Sequence, residues 1–278
     1  MTRVAYQGAE GAFSEAAALT AYPDAETVGY ATFHEVFEAV AGGAVHCGVV
    51  PVENSLAGSI NQTYDLLLEH DLHVVGEVIL RVQHCLVAPK GTRIEEVRRV
   101  ISHPQALAQC DGFLARYHLE GVPVYDTAGA ARQLAQHPEP GVAAIASRRA
   151  AERYGLEVLA EGIEDFEFNY TRFFVLATQE RPRGEGPHKT SVVFALRQRL
   201  GHSPGGLLEV LQGFAEHRVN LTKLESRPRR DRPWSYVFYV DFEGHVEDPA
   251  PAQALLALLR RASFVKVLGS YPMAPNGA

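Results

Sequence analysis

The chain has 278 residues, 46% hydrophobic and 21% charged, which suits one large globular domain or two to three modest ones. A net charge of -7 and a pI near 5.9 exclude nucleic acid as the main partner, because that role calls for a basic face. No apolar stretch approaches the roughly 20 residues that span a bilayer, so no membrane partner is expected.

The start, Met1-Thr2-Arg3-Val4-Ala5-Tyr6-Gln7, moves straight into a strand pattern without a signal-peptide arrangement. Cys47, Cys85 and Cys110 are an odd, widely spaced set that suits reduced thiols, and a cytoplasmic protein is expected. Strands are predicted over 3–7, 27–30, 47–52, 74–88, 99–102, 122–125, 142–146 and 173–177. Helical spacing falls between them, over 13–21, 33–41, 60–69, 105–117 and 128–136. This alternation predicts open α/β sheets with helices on both faces, and the long strand over 74–88 is placed as a crossing between two lobes.

Residues 180–187, with prolines, glycines and charges of both signs, cannot supply a core and are predicted to be a linker. Beyond it, strands over 190–196, 219–227, 234–242 and 264–271 alternate with two helices. Ser203 and Asp248, each followed by proline, supply the helix-start signals, and the order is the ferredoxin-like βαββαβ. One helix-covered sheet face leaves the other available, so self-association is expected.

Polar residues gather at strand ends, where ligands bind in such sheets. Asn169-Tyr170-Thr171-Arg172 places an amide, a hydroxyl and a guanidinium before the apolar run at Phe173, and such groups are costly to bury unpaired. Glu53-Asn54-Ser55 follows another buried strand, with Ser59 as the expected helix cap. Ser102-His103-Pro104-Gln105 and Asp126-Thr127-Ala128-Gly129 repeat the arrangement, whereas Gly8-Ala9-Glu10-Gly11-Ala12 is more simply a tight turn than an anion loop. Each motif alone is most often a capped turn, but together they imply one cleft of hydroxyls, amides and helix N-termini suited to a small polyanion. No metal-ligand spacing, Schiff-base lysine or phosphate loop accompanies them, so no metal and no cofactor is expected. Chemistry there must rest on positioning and proton delivery.

Val-Pro-Val-Glu-Asn-Ser-x-x-Gly-Ser at 50–59, Ser-His-Pro-Gln-Ala-Leu at 102–107, Asp-Thr-Ala-Gly at 126–129 and Asn-x-Thr-Arg-Phe at 169–173 resemble the prephenate dehydratase family. Asn220-Leu221-Thr222-Lys223-Leu224-Glu225-Ser226-Arg227-Pro228 resembles its regulatory ACT domain. Two departures stand out: Ala12 replaces the family's threonine, and Gly205-Gly206-Leu207-Leu208 replaces its Gly-Ala-Leu-Val. The resemblance implies a two-lobed, periplasmic-binding-protein-like catalytic domain over 1–179, a linker, an ACT domain over 188–272 and a tail over 273–278. It implies a carbon–oxygen lyase that converts prephenate to phenylpyruvate, carbon dioxide and water, with L-phenylalanine as feedback effector and a homodimer or homotetramer as the assembly.

By the same resemblance Thr171 assists the departing hydroxyl. Arg172 and Glu53 complete the catalytic set, although a Glu53–Arg172 pair is favoured as structural. Asn54, Ser55, Ser102, Gln105, Thr127, Ala128, Gly129, Asn169 and Phe173 are expected around the substrate. Gly205, Gly206, Leu207, Leu208, Asn220, Leu221, Thr222, Glu225, Ser226, Arg227 and Pro228 are expected around phenylalanine. The alternatives are an arogenate dehydratase, or a non-catalytic binder of small anions or amino acids.

Overall fold

A computed structural model describes residues 1–197, 204–229 and 232–275. Two compact units emerge: Met1–Leu66 with Val78–Phe174, and Leu67–Glu77 with Val175–Pro275. The second unit thus takes in an inner piece of chain that the sequence boundary at 179 assigns elsewhere. No described helix is long and apolar enough to cross a membrane.

The first unit holds most of two sheets, two of whose strands include residues of the second unit. One runs in the order β2 (Glu26–Tyr30), β1 (Arg3–Gln7), β3 (Cys47–Asn54), β11 (Tyr170–Ala177), β5 (His73–Arg81), with β4 (Gly58–Ser59) on β3. The other runs β10 (Glu157–Glu161), β6 (Cys85–Ala88), β9 (Val142–Ala146), β7 (Arg99–Ser102), β8 (Glu120–Pro123). β1 is parallel to β2 and β3, and β7 to β8 and β9. All five β9 residues are buried, as expected of a strand covered on both faces. Ala144 and Ala146 pack on Ala128, Ala130 and Ala131 of α6 (Thr127–Gln136) and Ala150 of α7 (Arg148–Tyr154), small residues that let helix and sheet approach closely.

Two predicted elements are broken, for the same reason. The strand expected over 74–88 is two strands in different sheets, because Val82 N–H is drawn to Asn169 O (2.7 Å) and His84 N–H to the Glu164 carboxylate (2.9 Å). The helix expected over 105–117 splits into α4 (Pro104–Gln109) and α5 (Asp111–Arg116). There Gln109 O accepts from Asp165 N–H (2.7 Å), while the Asp165 carboxylate accepts from Gly112 N–H (3.1 Å). In both places the return segment from β10 to β11 captures backbone groups that regular structure would have used. Ser59, the expected cap, lies in β4, just before α3 (Asn61–Glu69).

The second unit carries a βαββαβ array with strand order β13 (Leu221–Pro228), β14 (Tyr236–Glu243), β12 (His188–Leu196), β15 (Ala262–Pro272). Helices Gly206–Glu216 and Pro249–Arg261 cover one face through Val210, Phe214, Ala254 and Leu258. The predicted cap Ser203 lies outside the described residues. The opposite face is less open than expected: Ser191, Val193, Tyr239 and Asp241 are buried, while Phe264, paired with Ala195, stays exposed. Part of the cover comes from the inner piece. Lys189 Nζ holds the buried Glu77 carboxylate at 2.8 and 3.1 Å, and Lys266 Nζ donates to Leu67 O (3.0 Å) and His70 O (2.5 Å).

Candidate active site

A cavity of about 410 Å³ within the first unit collects side chains from strands of the first sheet and from loops and helices adjoining the second. Its floor is built from Asn54, the last residue of β3, and Thr171, the second of β11. Strand alternation turns Thr171 and Phe173 to the cavity and Arg172 away from it. Arg172 lies over the Phe174 ring, 4.8 Å from its centroid, with Glu53 4.0 Å away. Arg172 and Glu53 are therefore absent from the cavity lining, contrary to the grouping of all three as one catalytic set. Their proximity suits the structural pair that the sequence favoured.

Asn54 is fixed in direction by the main chain. Its Oδ1 accepts from Leu56 N–H (3.1 Å) and Ala57 N–H (2.9 Å), which can only donate. Its Nδ2 is then a donor, facing Asn169 Oδ1 (2.8 Å), Tyr170 O (3.1 Å) and Thr171 Oγ1 (3.0 Å). Thr171 receives a hydrogen bond from Asn54, and its own proton is left for another acceptor. Asn169, fully buried, passes the polarity on: its Nδ2 donates to Gln109 Oε1 (3.0 Å), which also meets His84 Nε2 (2.8 Å). Gln109 and His84 both line the cavity.

Gln105 and Thr127 join them there, as expected. Other expected contacts are engaged elsewhere. Ser102 is fully buried and donates to Ile145 O (2.8 Å), tying β7 to β9. Ser55 donates to Phe168 O (2.7 Å) and accepts from Tyr170 N–H (2.9 Å), pinning the entry to β11. The backbone of the Asp126 turn was expected to offer free N–H groups to the substrate. Instead Asp126 caps its own helix, accepting from Ala128 (3.3 Å) and Gly129 (3.1 Å), and reaches Ala9 N–H (3.1 Å) as well.

The open helix end belongs to α1 (Phe13–Ala21), whose N-cap Ala12 offers no side-chain acceptor. Phe13 and Ser14 of its first turn line the cavity, so this end supplies the positive pole of a dipole and N–H donors. The Gly8–Ala12 turn serves it through Gly8 and Gly11, at φ 115° and 86°. Among the described lining residues none is Lys or Arg, whereas Gln7, Gln62, Gln105 and Gln109 are all amides. Sequence reasoning missed Gln7, Phe13, Gln62, His84 and Gln109 as lining residues. The consecutive polar Gln83-His84 inside an apolar run was the available sign of a strand break.

In the second unit Gly205, at φ 86°, is the N-cap of its helix and Gly206 is buried, while Leu208 is exposed beside partly buried Leu207. Asn220 Nδ2 donates to Glu243 Oε1 (3.0 Å) and Thr222 Oγ1 to Asp241 O (3.3 Å). Leu221 to Pro228 form the edge strand β13, with Ser226 opposite Phe238, Arg227 opposite Val237 and Glu225 3.1 Å from Lys223.

The profile of the prephenate dehydratase family matches residues 4–181, and that of the ACT domain residues 196–260. A chloroplastic arogenate dehydratase/prephenate dehydratase of Arabidopsis thaliana is 48% identical over 98% of this chain and 73% of its own length. An arogenate dehydratase of Petunia hybrida is also 48% identical, over 98% and 67%. The prephenate dehydratase of Arthrobacter aurescens, solved in complex with L-Phe, superposes with a TM-score of 0.89 at 33% identity, covering 98% of this chain and 90% of that one. A protein described as GqqA, a novel type of quorum quenching acylase, superposes equally well at 36% identity, covering 98% of both chains. With a profile matched over most of its length and relatives at such identity, the chain belongs to the prephenate dehydratase family of lyases and carries an ACT domain.

Proposed function

We propose that the protein converts prephenate to phenylpyruvate, with carbon dioxide and water as the other products. The observation that carries this reading is the Thr171 hydroxyl on the cavity floor, its oxygen held by Asn54 and its proton free to donate. In the reaction the ring carbon–carboxylate bond breaks and its electron pair forms a ring double bond. The carbon–oxygen bond at the far side of the ring breaks in concert, and the hydroxyl departs as water by taking a proton. Thr171 gives that proton in a hydrogen bond and recovers one from solvent or product water. The α1 N-terminus and the amides around it hold the two carboxylates. Arogenate, which differs only in carrying an ammonium in place of the keto group, is the second substrate to consider, because the plant relatives bear that name.

Control by phenylalanine belongs to the same proposal: the effector binds at the helix start around Gly205 and Gly206 and the facing strand, between ACT domains of a dimer or tetramer. It is supported by the ACT profile and by the L-Phe complex of the Arthrobacter relative. The test is turnover of both substrates, followed as phenylpyruvate and phenylalanine, by wild type and Thr171→Ala, with and without added phenylalanine. The variant should lose roughly 10²–10⁴-fold in kcat with a smaller change in KM. Wild type inert toward both substrates ends the enzymatic reading. A Gly205→Val enzyme that responds to phenylalanine as wild type does ends the placement of the effector site.

A further inference from the structure

The polarity of the floor does not stop at Thr171; it runs the other way as far as His84. Two main-chain N–H groups fix Asn54, Asn54 fixes Asn169 as acceptor at Oδ1, and Asn169 must then donate from Nδ2 to Gln109 Oε1. An amide oxygen that already accepts from Asn169 can meet His84 Nε2 at 2.8 Å only if that nitrogen carries the proton. The tautomer of His84 is thus set by the backbone at Leu56 and Ala57, three side chains away. Its other nitrogen, Nδ1, is buried and has no hydrogen-bond partner among the described residues. A proton there would be unsatisfied, so the ring is neutral. Burial lowers its pKa in the same sense.

The consequence for the cavity falls on Gln109. With Oε1 claimed by both Asn169 and His84, the Nε2 amide group of Gln109 has both protons left, and the residue lines an anion-sized cavity without a described Lys or Arg. We infer that His84 is a positioning residue: its Nε2–H, acting with Asn169 Nδ2 on the same oxygen, holds the Gln109 amide so that the NH₂ end, not the oxygen, faces the substrate. A reversed amide would turn a lone pair toward a carboxylate or keto oxygen. The neighbours suit this duty, since Phe13 meets the imidazole edge-on with centroids 5.7 Å apart and Glu164 holds the His84 main-chain N–H. This inference rests on the dehydratase reading above.

Three variants separate positioning from packing. In His84→Gln the side-chain amide nitrogen reaches about where Nε2 stands and can still donate to Gln109. In His84→Asn the amide reaches only the Nδ1 position, and His84→Phe keeps the ring volume without a donor. Positioning predicts near-normal KM for H84Q, and for H84N and H84F a KM raised roughly 5–10-fold on prephenate or arogenate, with kcat changed less. Packing predicts the reverse order, with H84F the better tolerated. Wild-type KM in H84F, or H84Q as impaired as H84N, overturns the inference. Nitrogen-15 NMR of the imidazoles in the full-length wild type tests it without a variant. A neutral ring protonated at Nε2 is expected, and a proton at Nδ1 refutes the assignment even if neither substrate is turned over.

Discussion

Replacing Asn54 by aspartate tests the floor of the cavity more sharply than removing Thr171. The change is isosteric, and the oxygen that accepts from Leu56 and Ala57 N–H is retained, so the turn after β3 keeps its bonds. The other end reverses: where Nδ2 donated to Asn169 Oδ1, Tyr170 O and Thr171 Oγ1, a carboxylate oxygen now needs donors. Thr171 can satisfy it only by turning its hydroxyl proton inward, away from the substrate. Two lost acceptor contacts in a buried setting cost about 2–4 kcal/mol of stability. The catalytic loss should approach that of removing the hydroxyl, roughly 10²–10⁴-fold in kcat. The two changes remove the same proton, so N54D combined with Thr171→Val should lose little more than either alone. The assay is kcat and KM for the four proteins at a temperature where thermal melts show all of them folded. An N54D enzyme with most of its kcat, or losses that multiply in the double variant, refutes the idea that Asn54 acts by directing the Thr171 proton.

Other outcomes follow from the same geometry. Lys189→Met should destabilise the protein by about 3–5 kcal/mol by taking the cation away from the buried Glu77 carboxylate, which keeps only neutral donors such as Ala274 N–H, and adding Glu77→Leu should restore much of it; denaturant melts of the single and double variants check this. Gly269→Ala places a Cβ 2.0 Å from Val74 O, a backbone atom that cannot yield, and its melting temperature should fall well below that of wild type. Burial holds His84 below its usual pKa of 6.5, so the unfolded chain binds more protons than the folded one between the lowered value and 6.5. Stability should therefore rise with pH through that window and level off above it, and the slope should shrink in H84Q, as melts across the acid range would show.

Much of the architecture was legible because strand and helix periods are local properties of the chain. The strands over 3–7, 99–102 and 142–146 and the helices over 13–21 and 33–41 occur where apolar spacing put them. The misreadings share one cause. Residues 82–84 and Cys110 look like the interior of a strand and of a helix, and they are interrupted only because residues 163–169, far along the chain, take their hydrogen bonds. No window around position 84 or 110 contains that information. The same holds for the site. Thr171 and Asn54 announced themselves as polar groups at the ends of apolar runs, yet the side on which Arg172 and Glu53 fall depends on strand register and not on composition. Ser102 and Ser55 look like ligands in sequence because a buried hydroxyl needs a partner, and in the fold that partner is a carbonyl of the protein.

The absence of Lys and Arg among the described lining residues fits the chemistry proposed for the cavity. A dicarboxylate would ordinarily invite arginine, whose paired donors hold a carboxylate firmly. In a decarboxylative dehydration one of those carboxylates must lose its charge as carbon dioxide, so an ion pair that stabilised it in the bound substrate would raise the barrier by nearly the same amount. Amides and a helix N-terminus offer a weaker hold, enough to orient the ring but less costly to give up when the charge disperses. The donors that should strengthen during the reaction are those at the other end, where the departing hydroxyl becomes more basic as its bond to carbon lengthens. There the protein places a hydroxyl whose direction descends from two main-chain N–H groups through Asn54, so little reorganisation is needed at the moment of reaction. The one guanidinium in the motif, Arg172, turns to Phe174 and Glu53 instead, where it braces β11 and leaves the substrate carboxylates to neutral donors.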